Sequence, residues 1–450
     1  MKSHKFNLSF LLFLIFEFLL LTSCSVTRQI SRSAQQLVIK DSSLINAHVG
    51  ISIYEPSANK YWYNYQSDKY FTPASNTKLA TCYAAMKYLG DSLEGLIKAE
   101  NDTAILIFPA ADPTLLHPDF KIQPVISYLQ GAGKKLYITD KKWQAEALGP
   151  GWSWDDYNDD YMAERSPMPV YGNLIKWIQD KSNPNEPVLI YSIPEVDWKV
   201  DFNSAQANKF FVRRNFGENV YKLTEGKEKY KEQDVPFVTN GIQAALELLQ
   251  DTIHRTIEPL TPQEFQKDFS DTKLHFTIIK TQPTDTFLRI TMHRSDNFFA
   301  EQSLLMISNE RFGVMNDKKI IDTLLKTDFK DLPQKPRWVD GSGLSRYNLF
   351  SPQDFVSILN KIKNEFGLER IKMILPTGGT GTLSSYYKAD SNYIFAKTGT
   401  LYGVVSISGY LYTKKNKLLI FSILVNNHHA SATAVRKAAE RFIETVRNKY

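Results

Sequence analysis

Ser75 and Lys78, three residues apart in the stretch TPASNTKLATCYAAMKYLG, have the types and spacing of an activated nucleophile. On a helix, residues i and i+3 share a face, so the amine can reach the hydroxyl and take its proton, provided burial and a neighbouring cation keep it neutral. A serine at a helix N-terminus also stands where backbone N–H groups point outward and favour a developing negative charge. The spacing alone discriminates little, because Ser57/Lys60, Ser270/Lys273 and Ser385/Lys388 repeat it in the same chain. The first of these falls in a hairpin turn after Pro56 and the other two in polar loops or turns, where nothing would hold a reacting geometry. The case for Ser75 therefore rests on partners elsewhere.

Two stretches supply them. Lys397-Thr398-Gly399, followed by Thr400, is the only Lys-Thr-Gly in the chain; on a strand it offers the second cation, with Gly399 where a substrate backbone can approach closely. Ser295-Asp296-Asn297 lies where an apolar, strand-like stretch is expected to turn into a helix, and its hydroxyl and amide can relay a proton and hold a carbonyl. Taken singly, each has a plain structural use as a helix cap, a turn or a surface lysine. All three in this order point to acyl transfer through a serine nucleophile.

These residues need elements to position them. HVGISIYE and KYWYNY alternate apolar and polar around the PSAN turn, which predicts a β-hairpin. Leu79, Cys82, Met86 and Leu89, spaced by three and four, predict a helix from near Ser75 to Gly90. Near the other end, YIFAKTGT, VVSISGYLYT and LLIFSILV predict three antiparallel strands, and Val435, Ala439, Phe442 and Val446 mark one face of a closing helix. The two ends are expected to share one antiparallel sheet flanked by helices, an α+β domain of residues 46–96 and 236–450. Residues 97–235, with mixed strand-like pieces and aromatic loops, read as an insertion.

Composition narrows the function. The chain has 450 residues and a formal charge of +6 from 54 basic and 48 acidic side chains, with no basic block interleaved with aromatics, which argues against a nucleic-acid partner. Lys2 and Lys5 precede an apolar run from Phe6 to Leu21, interrupted by Glu17, that ends in Leu-Thr-Ser-Cys. This is the layout of an export signal over residues 1–23. Its end resembles the bacterial lipobox, which implies lipid attachment at Cys24, and residues 24–45 are expected to form a membrane-proximal linker. Cys82 is the other cysteine, so no intrachain disulfide is expected; a buried, inert thiol is its reading. The eight histidines form no ligand pair at helical spacing, and neither metal nor cofactor is expected.

Ser75-Asn-Thr-Lys78, Ser295-Asp-Asn297 and Lys397-Thr398-Gly399 resemble the three motifs of the penicillin-recognising serine enzymes. More narrowly, PASNTKL, Asp112-Pro113-Thr114-Leu115, GWSWDD from Gly151, HRSDNFFAE, DGSGLSRYNLFSP from Asp340 and LPTGGTGTL from Leu375 resemble the class C low-molecular-mass penicillin-binding proteins, the D-alanyl-D-alanine carboxypeptidase/endopeptidase family. The resemblance implies a β-lactamase/transpeptidase-like fold with a large insertion between the first two motifs. It implies that Ser75 attacks D-Ala-D-Ala stem peptides of peptidoglycan, that Lys78 is the base, and that Ser295, linked to Lys397, protonates the leaving amine. Asn297 would hold the substrate amide, Lys397, Thr398 and Gly399 would line the site of the terminal carboxylate, and the backbone N–H groups of Ser75 and Thr400 would form the oxyanion hole. β-Lactams would act as inhibitors. Where the family has a glycine-rich lead, this chain reads PAADPTL, and family members are often soluble where this chain carries a lipidation pattern. The expected location is the bacterial periplasm, lipid-anchored, with the outer membrane favoured. The rival readings are a β-lactamase and a non-catalytic peptidoglycan-binding lipoprotein that keeps the fold. No glutamate occurs between Arg311 and Asn364, where a class A lactamase would need one to activate the deacylating water.

Overall fold

Alternating apolar residues at both ends of the chain build a single sheet, and small residues on its second face make room for the serine-bearing segment. In a computed structural model, residues 26–183, 185, 187–203, 208–270 and 274–450 are described. The chain divides into two units, the first running through Asn76 and adding Leu332–Pro336 and Leu349–Tyr450, the second comprising Thr77–Asp331 and Arg337–Asn348.

In the first unit five antiparallel strands lie in the order Ile394–Leu401, Val404–Tyr412, Leu418–Asn426, His48–Glu55, Lys60–Tyr65. The hairpin and the three C-terminal strands match the period-2 reading. On one face Ile51, Ile53, Ile407, Phe421 and Ile423 pack against Val435, Phe442 and Val446 of the closing helix Ala432–Lys449. The N-terminal segment joins them, which corrects the expectation of a linker over 24–45. Residues 26–34 are helical and continue into the π-turn Gln35–Ile39, and Ile30, Ala34 and Val38 are buried in the same core. Their spacing of four places them on one helical face, with Ser31, Arg32, Ser33, Gln35 and Gln36 between them that make the stretch read as polar. Cys24 and the apolar run before it lie outside the described residues.

The opposite face carries serines and glycines among larger side chains such as Tyr410 and Leu424. Lys397, Ser408, Ser422 and Ser52 stand opposite one another across four strands, all fully buried, with Ser408 and Ser422 hydrogen-bonded through their hydroxyls at 2.8 Å. A Cβ on Gly50 would lie 2.5 Å from Phe71 and 2.8 Å from Pro352. This face thus receives both the Phe71 segment and the helix Pro352–Phe366, which Ser351 and Asp354 open with a capping box.

In the second unit the helix Lys78–Tyr88 packs against Thr284–Arg294 and Asn297–Phe312. It is buried from Lys78 to Met86 on every side, a wider burial than the single apolar face its spacing suggests. The stretch before Ser295 is helix and not strand: Thr284, Phe287, Leu288, Thr291 and Met292 are its buried residues, at the spacing of a helical stripe. A mixed five-stranded sheet runs in the order Glu258–Pro259, Lys135–Ile138, Ala104–Pro109, Ser92–Glu100, His275–Pro283. Both expected borders of the insertion fall inside strands, 96/97 within Ser92–Glu100 and 235/236 within Tyr230–Pro236. Two three-stranded sheets complete the unit, Tyr230–Pro236 with Leu174–Asp180 and Leu189–Ile193, and Val200–Asn203 with Tyr221–Thr224 and Phe211–Arg214.

The N-terminal helix is part of the core, so Ile30→Ala is expected to cost about 2–4 kcal/mol of unfolding free energy. Urea denaturation followed by circular dichroism checks this; an unchanged midpoint would mean that residues 26–39 fold independently of the sheet.

Candidate active site

Ser75 lies on the 3-10 turn Ala74–Thr77, which runs without a break into the helix Lys78–Tyr88. Ala74 just before it is held at φ +48°, a left-handed conformation uncommon for a residue with a side chain. The division between the two units falls between Asn76 and Thr77, so Ser75 belongs to the first and Lys78 to the second.

Within the first unit, the Ser75 turn is tied to the strand of Lys397. Ser406 donates through Oγ to the Pro73 carbonyl at 2.7 Å. Asn76 is buried, and with its amide turned to match its surroundings it donates to the Lys397 carbonyl at 2.9 Å and accepts from the Ser408 hydroxyl at 2.7 Å. Asn426 clasps Thr72, accepting from its N–H at 2.8 Å and donating to its carbonyl at 3.0 Å. A Cβ on Gly399 would lie 2.8 Å from both the Ser75 nitrogen and the Pro73 carbonyl oxygen, backbone atoms that cannot swing aside. The strand therefore needs glycine for the approach of its own chain. Lys397 is buried and donates to the Thr398 carbonyl at 2.6 Å, while Thr398 is half-buried and Thr400 exposed.

Within the second unit, Lys78 and Asn297 come together. The Lys78 ammonium donates to Asn297 Oδ1 at 2.7 Å and to the Ser342 carbonyl at 2.8 Å, and Asn297 in turn donates through Nδ2 to the Tyr161 carbonyl at 3.0 Å. Ser295, at φ +61°, ends the helix Thr284–Arg294, and Asp296 caps the next one by accepting from the Phe299 N–H at 2.8 Å. The middle residue of this motif is thus a helix cap, and the turn carries Ser295 and Asn297 on either side of it.

The sequence reading singled out the stretch from Asp340 but gave no role to the loop it forms, which meets Lys78. Asp340 is fully buried and folds the loop around itself, accepting from Gly343 N–H at 2.9 Å, Ser345 N–H at 2.6 Å, Asn348 Nδ2 at 2.6 Å and Trp152 Nε1 at 3.0 Å. Ser342 gives its N–H to Glu301 at 2.7 Å and its carbonyl to Lys78. Glu301 also faces the buried Arg165 at 3.4 Å, which pairs with Asp317 at 2.7 Å. The Gly-rich DGSG is the one signal of this loop in the sequence; Glu301, within a helix buried on all sides, leaves none.

Burial brings Lys78 down from the ordinary lysine value to about 8, against the opposing pull of Asp296, Asp340 and Glu301. The same burial, with Asp340 nearby, pushes Glu301 up, and Arg165 opposes it. An amine near 8 is substantially neutral in mildly alkaline solution, which is what proton abstraction requires.

The profile of the D-Ala-D-Ala carboxypeptidase 3 (S13) family matches residues 32–446. The chain is 24% identical over 443 residues to D-alanyl-D-alanine carboxypeptidase DacB of Haemophilus influenzae, covering 90% of both chains. The crystal structure of penicillin binding protein 4 (dacB) from Haemophilus influenzae superposes with a TM-score of 0.72 at 19% identity, over 93% of this chain and 99% of that one. Its complex with a β-lactam superposes with a TM-score of 0.66 at 19% identity, over 94% and 99%. These likenesses show the fold.

With Lys78 as the base, the acylation rate constant is expected to rise about tenfold per pH unit below the lysine value and to level off above it. Measured from pH 6 to 10 with a β-lactam reporter, a rate independent of pH would exclude Lys78 from that role.

Proposed function

This chain belongs to the D-Ala-D-Ala carboxypeptidase 3 (S13) family, and on that footing we propose that its serine-type peptidase chemistry runs through an acyl-enzyme on Ser75. The observation that carries the assignment is Lys78: a buried amine, lowered to about 8, held by an amide oxygen and a carbonyl, and three residues along a continuous helical stretch from the serine. Ser75 Oγ attacks the carbonyl of the penultimate D-Ala of a peptidoglycan stem peptide while Lys78 Nζ takes its proton. Ser295 passes a proton to the leaving amine, and water then releases the acyl group. Asn297 holds the substrate amide, the backbone N–H groups of Ser75 and Thr400 stabilise the oxyanion, and Lys397, Thr398 and Gly399 line the place of the terminal carboxylate. β-Lactams acylate the same serine. Terminal D-alanine and D-Ala cross-links call for the same acylation step and differ in the leaving group.

Two features weigh against the rivals. The stretch from Arg311 to Asn364 lacks a glutamate, so a penicilloyl enzyme is expected to deacylate slowly, unlike that of a class A lactamase. A non-catalytic binder has no need of a desolvated lysine, whose burial is costly. The test is mass spectrometry of the chain without residues 1–24 after brief exposure to benzylpenicillin. A stable penicilloyl group on Ser75 is expected; consumption of penicillin without an adduct would make it a lactamase, and neither would make it a binder.

The cell address follows from the N-terminal pattern: export over residues 1–23, lipid on Cys24, and a periplasmic enzyme held at a membrane, the outer one favoured. Cys24→Ala is expected to move the protein from the membrane pellet to the soluble fraction and to abolish labelling by palmitate in cells. A variant that stays in the pellet would overturn the anchor.

A further inference from the structure

The three motifs leave one contact at the substrate strand unexplained. Arg436, near the start of the helix Ala432–Lys449, donates through Nη2 to the hydroxyl of Thr400, at the exposed end of the strand Ile394–Leu401. On this helix Lys437 pairs with Glu440 at 2.7 Å, Arg441 with Asp41 at 2.7 Å and Arg447 with Asp390 at 2.6 Å. Among the described residues, Arg436 forms no salt bridge. It also stands near the helix N-terminus, where the helix dipole disfavours a cation, so helix stability does not account for an arginine there. The Tyr386 ring lies 5.9 Å from its guanidinium carbon and limits where the head group can go.

The hydrogen bond sets the polarity of the threonine. A hydroxyl that accepts from a guanidinium keeps its own proton to donate elsewhere, so Thr400 and Arg436 together present donors and an uncompensated positive charge. That combination fits a carboxylate. We propose that Arg436 is a specificity-determining residue that, with Thr400, holds the free carboxylate at the C-terminal end of the peptide substrate. The inference rests on the D-Ala-D-Ala peptidase reading and adds to it the group that selects an ionised chain end over a neutral one.

The test compares two substrates on the full chain in detergent: a diacetyl-Lys-D-Ala-D-Ala peptide and the same peptide ending in a carboxamide. kcat/KM is measured for the wild type, Arg436→Gln and Arg436→Lys, with thermal melts to show that each variant is folded. Arg436→Gln is expected to lower kcat/KM for the carboxylate about tenfold, the scale of one hydrogen bond to a charged group, to leave the carboxamide nearly unchanged, and to be partly rescued by lysine. Equal losses on both substrates would reduce Arg436 to a brace for the strand, and an unchanged ratio would remove it from recognition; both outcomes overturn the inference while leaving the peptidase reading intact. A wild type that cleaves neither peptide and takes no penicilloyl group would overturn both.

Discussion

A lysine ammonium withdrawn from water is the constraint around which the second unit is organised. Removing such a charge from solvent costs several kcal/mol, and a carboxylate placed against it would recover that cost but raise its pKa and leave less of the neutral amine that takes a proton. Lys78 is met instead by two neutral acceptors, Asn297 Oδ1 and the Ser342 carbonyl. The carboxylates stand one step back: Glu301 reaches it through the Ser342 peptide, and Asp340 is occupied with its own loop. Arg165 and Asp317 then serve the charge of Glu301. From the amine outward, each layer supplies what the previous one lacks.

The first unit obeys a constraint of volume. Its sheet has one apolar face of ordinary breadth and a second on which serines and glycines leave room among larger side chains, because the serine-bearing turn comes in against the strand of Lys397 at backbone distance. Asn76 fills the remaining space and bonds to both sides of it. Valine in place of Ser408 would add a methyl group where there is no room and remove a hydroxyl from a buried amide, two penalties at one position.

Much of this was legible in the sequence for definable reasons. The hairpin, the C-terminal strands and the closing helix are amphipathic, so their periods identify them; the third motif falls on a strand, and the first lies on a 3-10 turn just ahead of the helix its serine was expected to open. The three motifs point to acyl transfer, and their match to a known family adds the substrate. Other features carry no local signal. Residues 26–39 hide an apolar stripe of three residues among polar ones. The strand Ser92–Glu100 finds its partner at His275–Pro283, far along the chain, so insertion borders drawn from composition could not anticipate it. The acceptor for Lys78 is a main-chain carbonyl, which side-chain identity does not encode, and Glu301 lies on a helix with no polar face to mark it as unusual.

The burial of the N-terminal segment has a mechanical meaning. Ile30, Ala34 and Val38 lie in the same core as the sheet and the closing helix, so residues 26–39 offer no slack between the sheet and the chain that precedes them. A pull applied ahead of residue 26 is borne by that core, and the segment can yield only by giving up its buried contacts.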